Sequence, residues 1–281
     1  MIFKKKKIFR WVKILLLLYA SIGIALYYLQ GKFLFHPTKL AYNYQFKFAD
    51  KFEEIRMPFN ETDTMSLVKF FPTDSISQGV IIYYHGNMNN IEHYAAYTKP
   101  FTKFGYEVWV QDYPGFGKST GEITEKKLYD QAMQVKKMAD VKFGNDSIII
   151  YGKSLGTGVA AYVASNTKAK MLILETPYYS IPALFSCYAP IYPSSAMANY
   201  KIPTNEYLQD IKYPIIIFHG TNDGVIPYRS ASKLKPVLKP TDIFITVPDA
   251  THKNINGTKM YYDAIDSLLE KKATNNTNVH E

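Results

Sequence analysis

Apolar and polar residues are distributed along this chain in a pattern that predicts one membrane helix followed by a layered α/β body. Residues 14–29 form an apolar run that contains no charged residue. Trp11, Val12 and Gln30 extend the run to about 20 residues, and a helix of that length, roughly 30 Å, crosses the hydrocarbon core of a bilayer. We therefore predict a cytoplasmic basic segment and a transmembrane anchor in residues 1–32.

Beyond the anchor, short apolar runs alternate with helical patterns. Strands are predicted at residues 52–58, 65–71, 80–84, 106–111, 147–151, 171–175, 214–218 and 242–247. Helices are predicted at residues 89–104, 124–143, from 155 onward, 228–238 and 253–271. Continuous β-branched runs separated by helices are typical of a parallel sheet that is covered on both faces. The predicted fold is a mostly parallel, doubly wound α/β domain over residues 33–272, with its first two strands antiparallel.

One stretch interrupts this alternation. Residues 178–213 are rich in proline and aromatic residues and match neither a strand nor a long helix. We predict that they form a small lid over the carboxyl edge of the sheet. Residues 273–281 are polar and are predicted to be a disordered tail.

The charge distribution narrows the possible partners. The 33 basic residues exceed the 24 acidic ones, which gives a net charge of +9, but six of these charges precede residue 14. The remaining chain has too little basic excess for a nucleic-acid surface, so no nucleic-acid partner is expected. By the positive-inside rule the basic segment stays cytoplasmic, which predicts a single-pass membrane protein with its body on the non-cytoplasmic side.

A cleaved signal peptide is the alternative to an anchor, because it shares the basic start and the apolar run. Tyr27, Tyr28 and Leu29 occupy the places where cleavage requires small residues, which favours the anchor. The single cysteine, Cys187, excludes an intramolecular disulfide framework and any zinc site with four cysteines.

The candidate chemistry begins with a G-x-S-x-G motif at residues 152–156, placed between a predicted strand and a predicted helix. Such a turn exposes its serine hydroxyl at the end of the sheet and directs the first backbone N–H groups of the helix at a developing oxyanion. A phosphate-binding loop is the competing interpretation, but the motif lacks the spacing of a P-loop. Ser154 is therefore the predicted nucleophile.

A serine needs a base, and an acid that orients it, in the chain order Ser…Asp…His. Of the six histidines, only His252 follows the last predicted strand and precedes the last helix. Asp223 follows the strand at 214–218 and is the predicted acid, whereas Asp249 and Glu175 are the alternatives. Leu155 and Asn87 are predicted to supply the backbone N–H groups of the oxyanion hole.

These motifs resemble the α/β-hydrolase superfamily, and within it a membrane-anchored branch of serine hydrolases related to serine aminopeptidases and acyl-protein thioesterases. The resemblance spans about residues 33–270 and rests on YYHGN (83–87), DYPGFGKSTG (112–121), YGKSLGTG (151–158), LETPYYS (174–180), HGTNDGVIP (219–227) and DATHKN (249–254). One departure is Thr251, where many relatives have glycine. The resemblance implies the catalytic set already named and no metal or organic cofactor.

The sequence therefore predicts a serine hydrolase that cleaves a carboxylic ester, thioester or amide of a small-molecule or acylated substrate through an acyl-enzyme. The first alternative is a peptidase of the aminopeptidase type, with Glu175 as a candidate ligand for the substrate amine. The second is a catalytically silent hydrolase fold that serves as a membrane-tethered binding module. Because no candidate catalytic residue lies in the anchor, removal of residues 1–30 is expected to leave an active soluble domain. The sequence does not indicate the oligomeric state.

Overall fold

A computed structural model describes residues 2–72 and 77–270 of the chain, so the predicted disordered tail lies outside the described residues. The strands of the described residues are β1 (His36–Pro37), β2 (Phe52–Pro58), β3 (Thr64–Phe70), β4 (Gly79–Tyr84), β5 (Met88–Asn89), β6 (Tyr106–Asp112), β7 (Ile148–Lys153), β8 (Met171–Glu175), β9 (Ile215–Gly220) and β10 (Ile243–Val247). The α-helices are α1 (Ile2–Leu34), α2 (Ile91–Tyr94), α3 (Lys99–Thr102), α4 (Glu125–Lys142), α5 (Leu155–Asn166), α6 (Ile181–Tyr188), α7 (Ser194–Met197), α8 (Thr204–Asp210), α9 (Tyr228–Ala231) and α10 (Lys259–Leu269).

A single sheet of eight strands, in the order β10-β9-β8-β7-β4-β6-β3-β2, organises the body. β3 runs antiparallel to both β2 and β6, and the other neighbouring pairs are parallel. All eight predicted strands are present, with ends that differ by only one or two residues. The doubly wound α/β prediction is therefore confirmed.

Helices cover both faces of the sheet, which is why its central strands are buried along their whole length. Ile81 and Ile82 are neighbours in β4, but their side chains point to opposite faces and belong to different apolar clusters. Val159 of α5 belongs to the cluster of Ile82, and Ile265 of α10 belongs to the cluster of Ile81.

Three predicted helices are shorter or more broken than expected. The segment at 89–104 is divided into α2, a 3₁₀ turn and α3, because Pro100 has no N–H and its ring excludes a continuous helix through this point. The segment at 228–238 is α-helical only in α9 and continues as a 3₁₀ helix that contains Pro236. α10 begins at Lys259, where Thr258 caps it, and it is preceded by a 3₁₀ turn at Ile255–Gly257, so His252 lies in the loop before that turn.

α1 is longer than the predicted anchor and continues to Leu34, after which β1 pairs with β5. It is long and apolar enough to cross a membrane, and no residue of its apolar span is fully buried. Residues 176–214 connect β8 to β9 at the carboxyl edge of the sheet and contain α6, α7 and α8. We call this connection the lid. No residue from 176 to 200 is charged.

Candidate active site

The candidate nucleophile, Ser154, lies on a sharp turn between β7 and α5. Its backbone has φ 52° and ψ −119°, a conformation that non-glycine residues rarely adopt. Gly152 and Gly156 allow this turn because a Cβ at Gly152 would lie 2.5 Å from the Gly156 carbonyl oxygen, and one at Gly156 would lie 2.0 Å from that of Tyr84. The motif therefore has glycines because the turn packs directly against the adjacent backbone.

Ser154, His252 and Asp223 are brought together at the carboxyl ends of β7, β10 and β9. The Nε2 atom of His252 lies 2.9 Å from the Oγ atom of Ser154. On the other side of the ring, Nδ1 lies 2.8 Å from Oδ2 of Asp223. The structure thus joins the three predicted residues in one continuous hydrogen-bonded chain, although they are far apart in the sequence.

Asp223 is fully buried, and its surroundings favour its charged form. Burial opposes ionisation of the carboxyl, but the hydrogen bond and charge of His252 and the N–H groups of Ile226 and Val225 outweigh burial, so the Asp223 pKa is lowered. Those two N–H groups donate to Oδ1 at 2.7 and 2.8 Å. Because an ionised carboxylate can only accept, Nδ1 of His252 carries the proton and Nε2 is left to accept from Ser154.

A second histidine, His219, stands behind the acid without entering the chain of hydrogen bonds. Its Nε2 lies 3.7 Å from Oδ2 of Asp223, and its Nδ1 lies 3.0 Å from the Gly220 carbonyl oxygen. Burial lowers the pKa of His219 more strongly than the Asp223 charge raises it. His219 is therefore favoured in its neutral form and leaves the charge of Asp223 to act on His252.

The two residues predicted for the oxyanion hole lie on either side of the nucleophile. Leu155 is the first residue of α5, and Asn87 follows Gly86, where a Cβ would lie 3.6 Å from that of Ser154. Among the described residues, neither backbone N–H has a hydrogen-bond acceptor, so both are free to donate to a ligand. The side chain of Asn87 has another partner, because its amide donates to the Leu34 carbonyl oxygen at 2.7 Å.

Directly beneath the nucleophile lies a buried ion pair whose role the sequence does not reveal. The ammonium of Lys153 contacts Oε1 of Glu175, and the Tyr151 hydroxyl donates to Oε2 at 2.6 Å. The backbone of Glu175 accepts from the Ser154 N–H at 2.9 Å. Glu175 is only 1% exposed, so both of its carboxylate oxygens are already occupied inside the protein. Its place at the end of a strand, next to the lid, gave no sign of this pairing.

An apolar cavity of about 320 Å³ adjoins this arrangement. Asn87 lines it on the oxyanion side, and Val225, two residues after the acid, lines it on the other. Lid residues form one wall: Ile181, Leu184, Phe185, Tyr188, Ser194, Met197, Ala198 and Tyr200. α1 forms the opposite wall with Leu26, Gln30, Phe33 and Leu34. None of these side chains is charged, and the sequence gave no indication that α1 would reach the site.

Metal-binding side chains do not gather here: within residues 2–72 and 77–270, no three His, Cys, Asp or Glu residues form a metal-binding group.

Comparison with known proteins finds similarity to hydrolases. A family model described as serine aminopeptidase, S33, matches residues 75–205. The lysophosphatidylserine lipase ABHD12 of Mus musculus is 28% identical over 192 residues, which are 60% of this chain and 47% of that protein. Protein ABHD12B of Homo sapiens is 28% identical over 180 residues, 57% of this chain and 50% of that protein. The chain thus spans about half the length of the curated relatives it matches.

Solved structures extend the likeness to most of the body. The Pyrococcus furiosus esterase Pf2001 is similar with a TM-score of 0.64 and 18% identity, covering 84% of this chain and 96% of the esterase. A soluble variant of the monoglyceride lipase of Saccharomyces cerevisiae gives a TM-score of 0.60 and 14% identity, covering 83% of this chain and 99% of the lipase. The fold is that of the α/β-hydrolases. The motifs and the family model that matches residues 75–205 support assignment of the chain to the α/β-hydrolase superfamily.

Proposed function

We propose that this protein is a membrane-anchored serine hydrolase that cleaves the carboxylic ester of a lipid with one acyl chain. The observation that carries the proposal is the hydrogen-bonded chain Asp223–His252–Ser154 at the edge of an uncharged, apolar cavity. The hydrogen-bonded chain is the arrangement that acyl transfer requires, and the apolar cavity accommodates an alkyl chain.

In the proposed reaction, Oγ of Ser154 forms a bond to the ester carbonyl carbon while Nε2 of His252 takes the hydroxyl proton. The carbonyl oxygen becomes an oxyanion that accepts from the backbone N–H groups of Leu155 and Asn87. The bond to the leaving alkoxide then breaks, and His252 returns the proton to it. Water, activated by His252, attacks the acyl-enzyme in the same way and releases the acid and free Ser154. Asp223 stabilises the imidazolium that forms in each step.

The relatives support an ester over other acyl derivatives. ABHD12 is named as a lysophosphatidylserine lipase, and the structural neighbours include an esterase and a monoglyceride lipase. Each of these names denotes an enzyme that cleaves an ester. We infer the same bond type here, and we infer a single acyl chain because a cavity of about 320 Å³ is lined by Asn87 and Val225, which lie next to the hydrogen-bonded chain.

A peptidase that removes N-terminal residues is the second candidate, since the matching family model is described as a serine aminopeptidase. Recognition of a free amine requires an acidic or strongly polar group that faces the substrate. The cavity lining contains no acidic side chain, and Glu175 is buried against Lys153 and Tyr151. These observations favour the ester over the peptide.

We also propose that α1 anchors the protein, with the basic residues on the cytoplasmic side and the hydrolase body on the other. Protease added to the outer face of intact cells that express the protein should digest the body. Digestion of the body only after lysis would show that the body lies on the cytoplasmic side.

Hydrolysis of p-nitrophenyl esters by the full-length protein in detergent micelles tests the proposed activity, with aminoacyl anilides run in parallel. Ester turnover is expected, and Ser154→Ala should lower kcat by roughly 10³–10⁶-fold. Ser165→Ala is the matched control, because this serine lies on α5 and its hydroxyl bonds only to groups of the same helix, the Tyr162 carbonyl oxygen and the Asn166 side chain. Turnover of anilides alone, or full ester turnover by Ser154→Ala, would contradict the proposal.

A further inference from the structure

We propose that α1 is part of the substrate site: its last turns, residues 26–34, form the wall that sets the length of acyl chain the enzyme accepts. This inference rests on the proposed function and extends it, because it gives the membrane helix a role in specificity and not only in anchoring.

The middle of α1 is attached to the lid by a pair of tyrosines. The rings of Tyr19 and Tyr192 stack with their centroids 4.7 Å apart and an angle of 5° between their planes. The Tyr192 hydroxyl donates to the Tyr19 carbonyl oxygen at 3.0 Å, and the Tyr19 hydroxyl donates to the Ile191 carbonyl oxygen at 3.1 Å. Gly23 makes room for this contact, since a Cβ there would lie 3.0 Å from the Tyr192 ring.

Gln30, near the end of α1, is a second point of attachment. Its amide nitrogen donates to the Met197 carbonyl oxygen at 3.2 Å, and its amide oxygen accepts from the Asn199 N–H at 2.6 Å. Both ends of this polar side chain therefore bind the lid. Residues 19, 23, 26 and 30 follow the three- and four-residue spacing of one helix face, so a continuous stripe of α1 is turned to the lid.

The cavity has a catalytic end and a distal end along this stripe. Leu34 is at the catalytic end, because its carbonyl oxygen accepts from the side chain of Asn87, beside Gly86 and Ser154. Leu26 is eight residues earlier, about 12 Å along the helix axis. Since the apolar run of α1 ends at Leu29, the distal end lies within the membrane-spanning part of the helix. The cavity thus extends from the nucleophile toward the hydrocarbon.

The lid has the composition that such a position requires. Ile191 and Tyr192 of the lid contact α1 at Tyr19, which is about 16 Å from Gln30 along the helix axis toward its N-terminus. The exposed fractions of Tyr188 and Ile191 in this part of the lid are 59% and 69%. A charged side chain at this depth would be costly, and residues 176–200 contain none. An alkyl chain is therefore the occupant that fits a cavity built from these two elements and continuous with the lipid phase.

The test is the dependence of kcat/KM on acyl chain length, measured with p-nitrophenyl esters from acetate to palmitate on full-length protein in micelles. Leu26→Trp fills the distal end of the cavity, and Leu26→Ala enlarges it. Ile24→Trp is the matched control, because Ile24 is 61% exposed on another face of α1 and does not line the cavity.

Leu26→Trp should lower kcat/KM for palmitate about fifteenfold and leave acetate within about twofold. Excluding two methylenes gives this factor, because one buried methylene is worth about 0.8 kcal/mol and 1.4 kcal/mol corresponds to tenfold. Leu26→Ala should move the optimum to longer chains, and Ile24→Trp should keep the wild-type profile.

The inference would be overturned by a chain-length profile that neither Leu26 variant changes, or that Ile24→Trp changes equally. Acetate turnover shows that each variant is folded. A wild-type protein that hydrolyses none of the esters would refute the proposed function itself, which is a different result.

Discussion

We call the edge of the sheet that holds Ser154, His252 and Asp223 the candidate catalytic edge, and the cavity between α1 and the lid the proposed acyl pocket. These two regions are stabilised in contrasting ways. Ser154 is held by close backbone contacts at Gly152 and Gly156, and Asp223 by three hydrogen bonds to buried or half-buried groups. The pocket is bounded instead by uncharged residues of the lid and by one helix, joined by the contacts of Tyr19 and Gln30. The first region is held by close contacts with the sheet, whereas the second is held by contacts between α1 and the lid.

We therefore expect the edge of the sheet to determine reactivity and the cavity to determine selectivity for acyl chain length. Substitutions in the catalytic edge should affect all substrates alike, because every acyl group meets the same nucleophile and base. Substitutions between α1 and the lid should affect long acyl chains and spare short ones. Three predictions follow this division, beginning with the largest effect.

Asp223→Asn should lower kcat by about 10⁴-fold with every ester, long or short. An asparagine amide can donate to Nδ1 of His252, which stabilises the tautomer whose Nε2 carries the proton and cannot accept from Ser154. The measurement is kcat for acetate and palmitate esters, with circular dichroism to verify the fold. Near wild-type turnover would show that another carboxylate, Asp249 or Glu175, orients the base.

Glu175→Gln should destabilise the body by about 3–5 kcal/mol, because it leaves the ammonium of Lys153 buried without its partner charge. For a body of this size the midpoint of thermal unfolding should fall by about 10 °C. The double variant Lys153→Met/Glu175→Gln removes both charges and should recover most of that loss. Equal destabilisation in the single and double variants would argue that packing, not the ion pair, is responsible.

Gly23→Leu should lower kcat/KM for long-chain esters about tenfold and leave acetate unchanged. The added side chain collides with the Tyr192 ring and separates α1 from the lid, while the helix stays apolar enough to span the membrane. Ala25→Leu adds similar bulk on an exposed face of α1 and is the control. Parallel behaviour of the two variants would show that the helix–lid contact does not shape the pocket.

The sequence predicted the catalytic edge far better than the pocket. Strand–turn–helix patterning and the G-x-S-x-G motif depend on local constraints, and the order of Ser154, Asp223 and His252 along the chain follows from the parallel sheet. The role of α1 depends instead on contacts between residues more than 160 positions apart, such as Gln30 with Met197. An apolar helix that faces lipid and one that packs on a lid have almost the same sequence pattern, so these contacts could not be predicted.

Contacts that the sequence pattern cannot predict also change what we expect of the anchor as a whole. Its lack of catalytic residues led to the expectation that removal of residues 1–30 would leave an active soluble domain. The cavity wall formed by Leu26 and Gln30 leads us to a narrower expectation. The shortened protein should still hydrolyse acetate esters, but its preference for long chains should be lost.

We propose that Ser154 is a nucleophile at the end of an acyl pocket that α1 helps to form. The most direct test of this proposal is labelling of the full-length protein in micelles with two alkyl fluorophosphonates, one short and one long. We predict a single adduct on the peptide that contains Ser154, formed faster by the long probe, with that advantage lost in Leu26→Trp and retained in Ile24→Trp. No adduct on Ser154, or equal labelling rates for both probes in the wild type, would contradict the account.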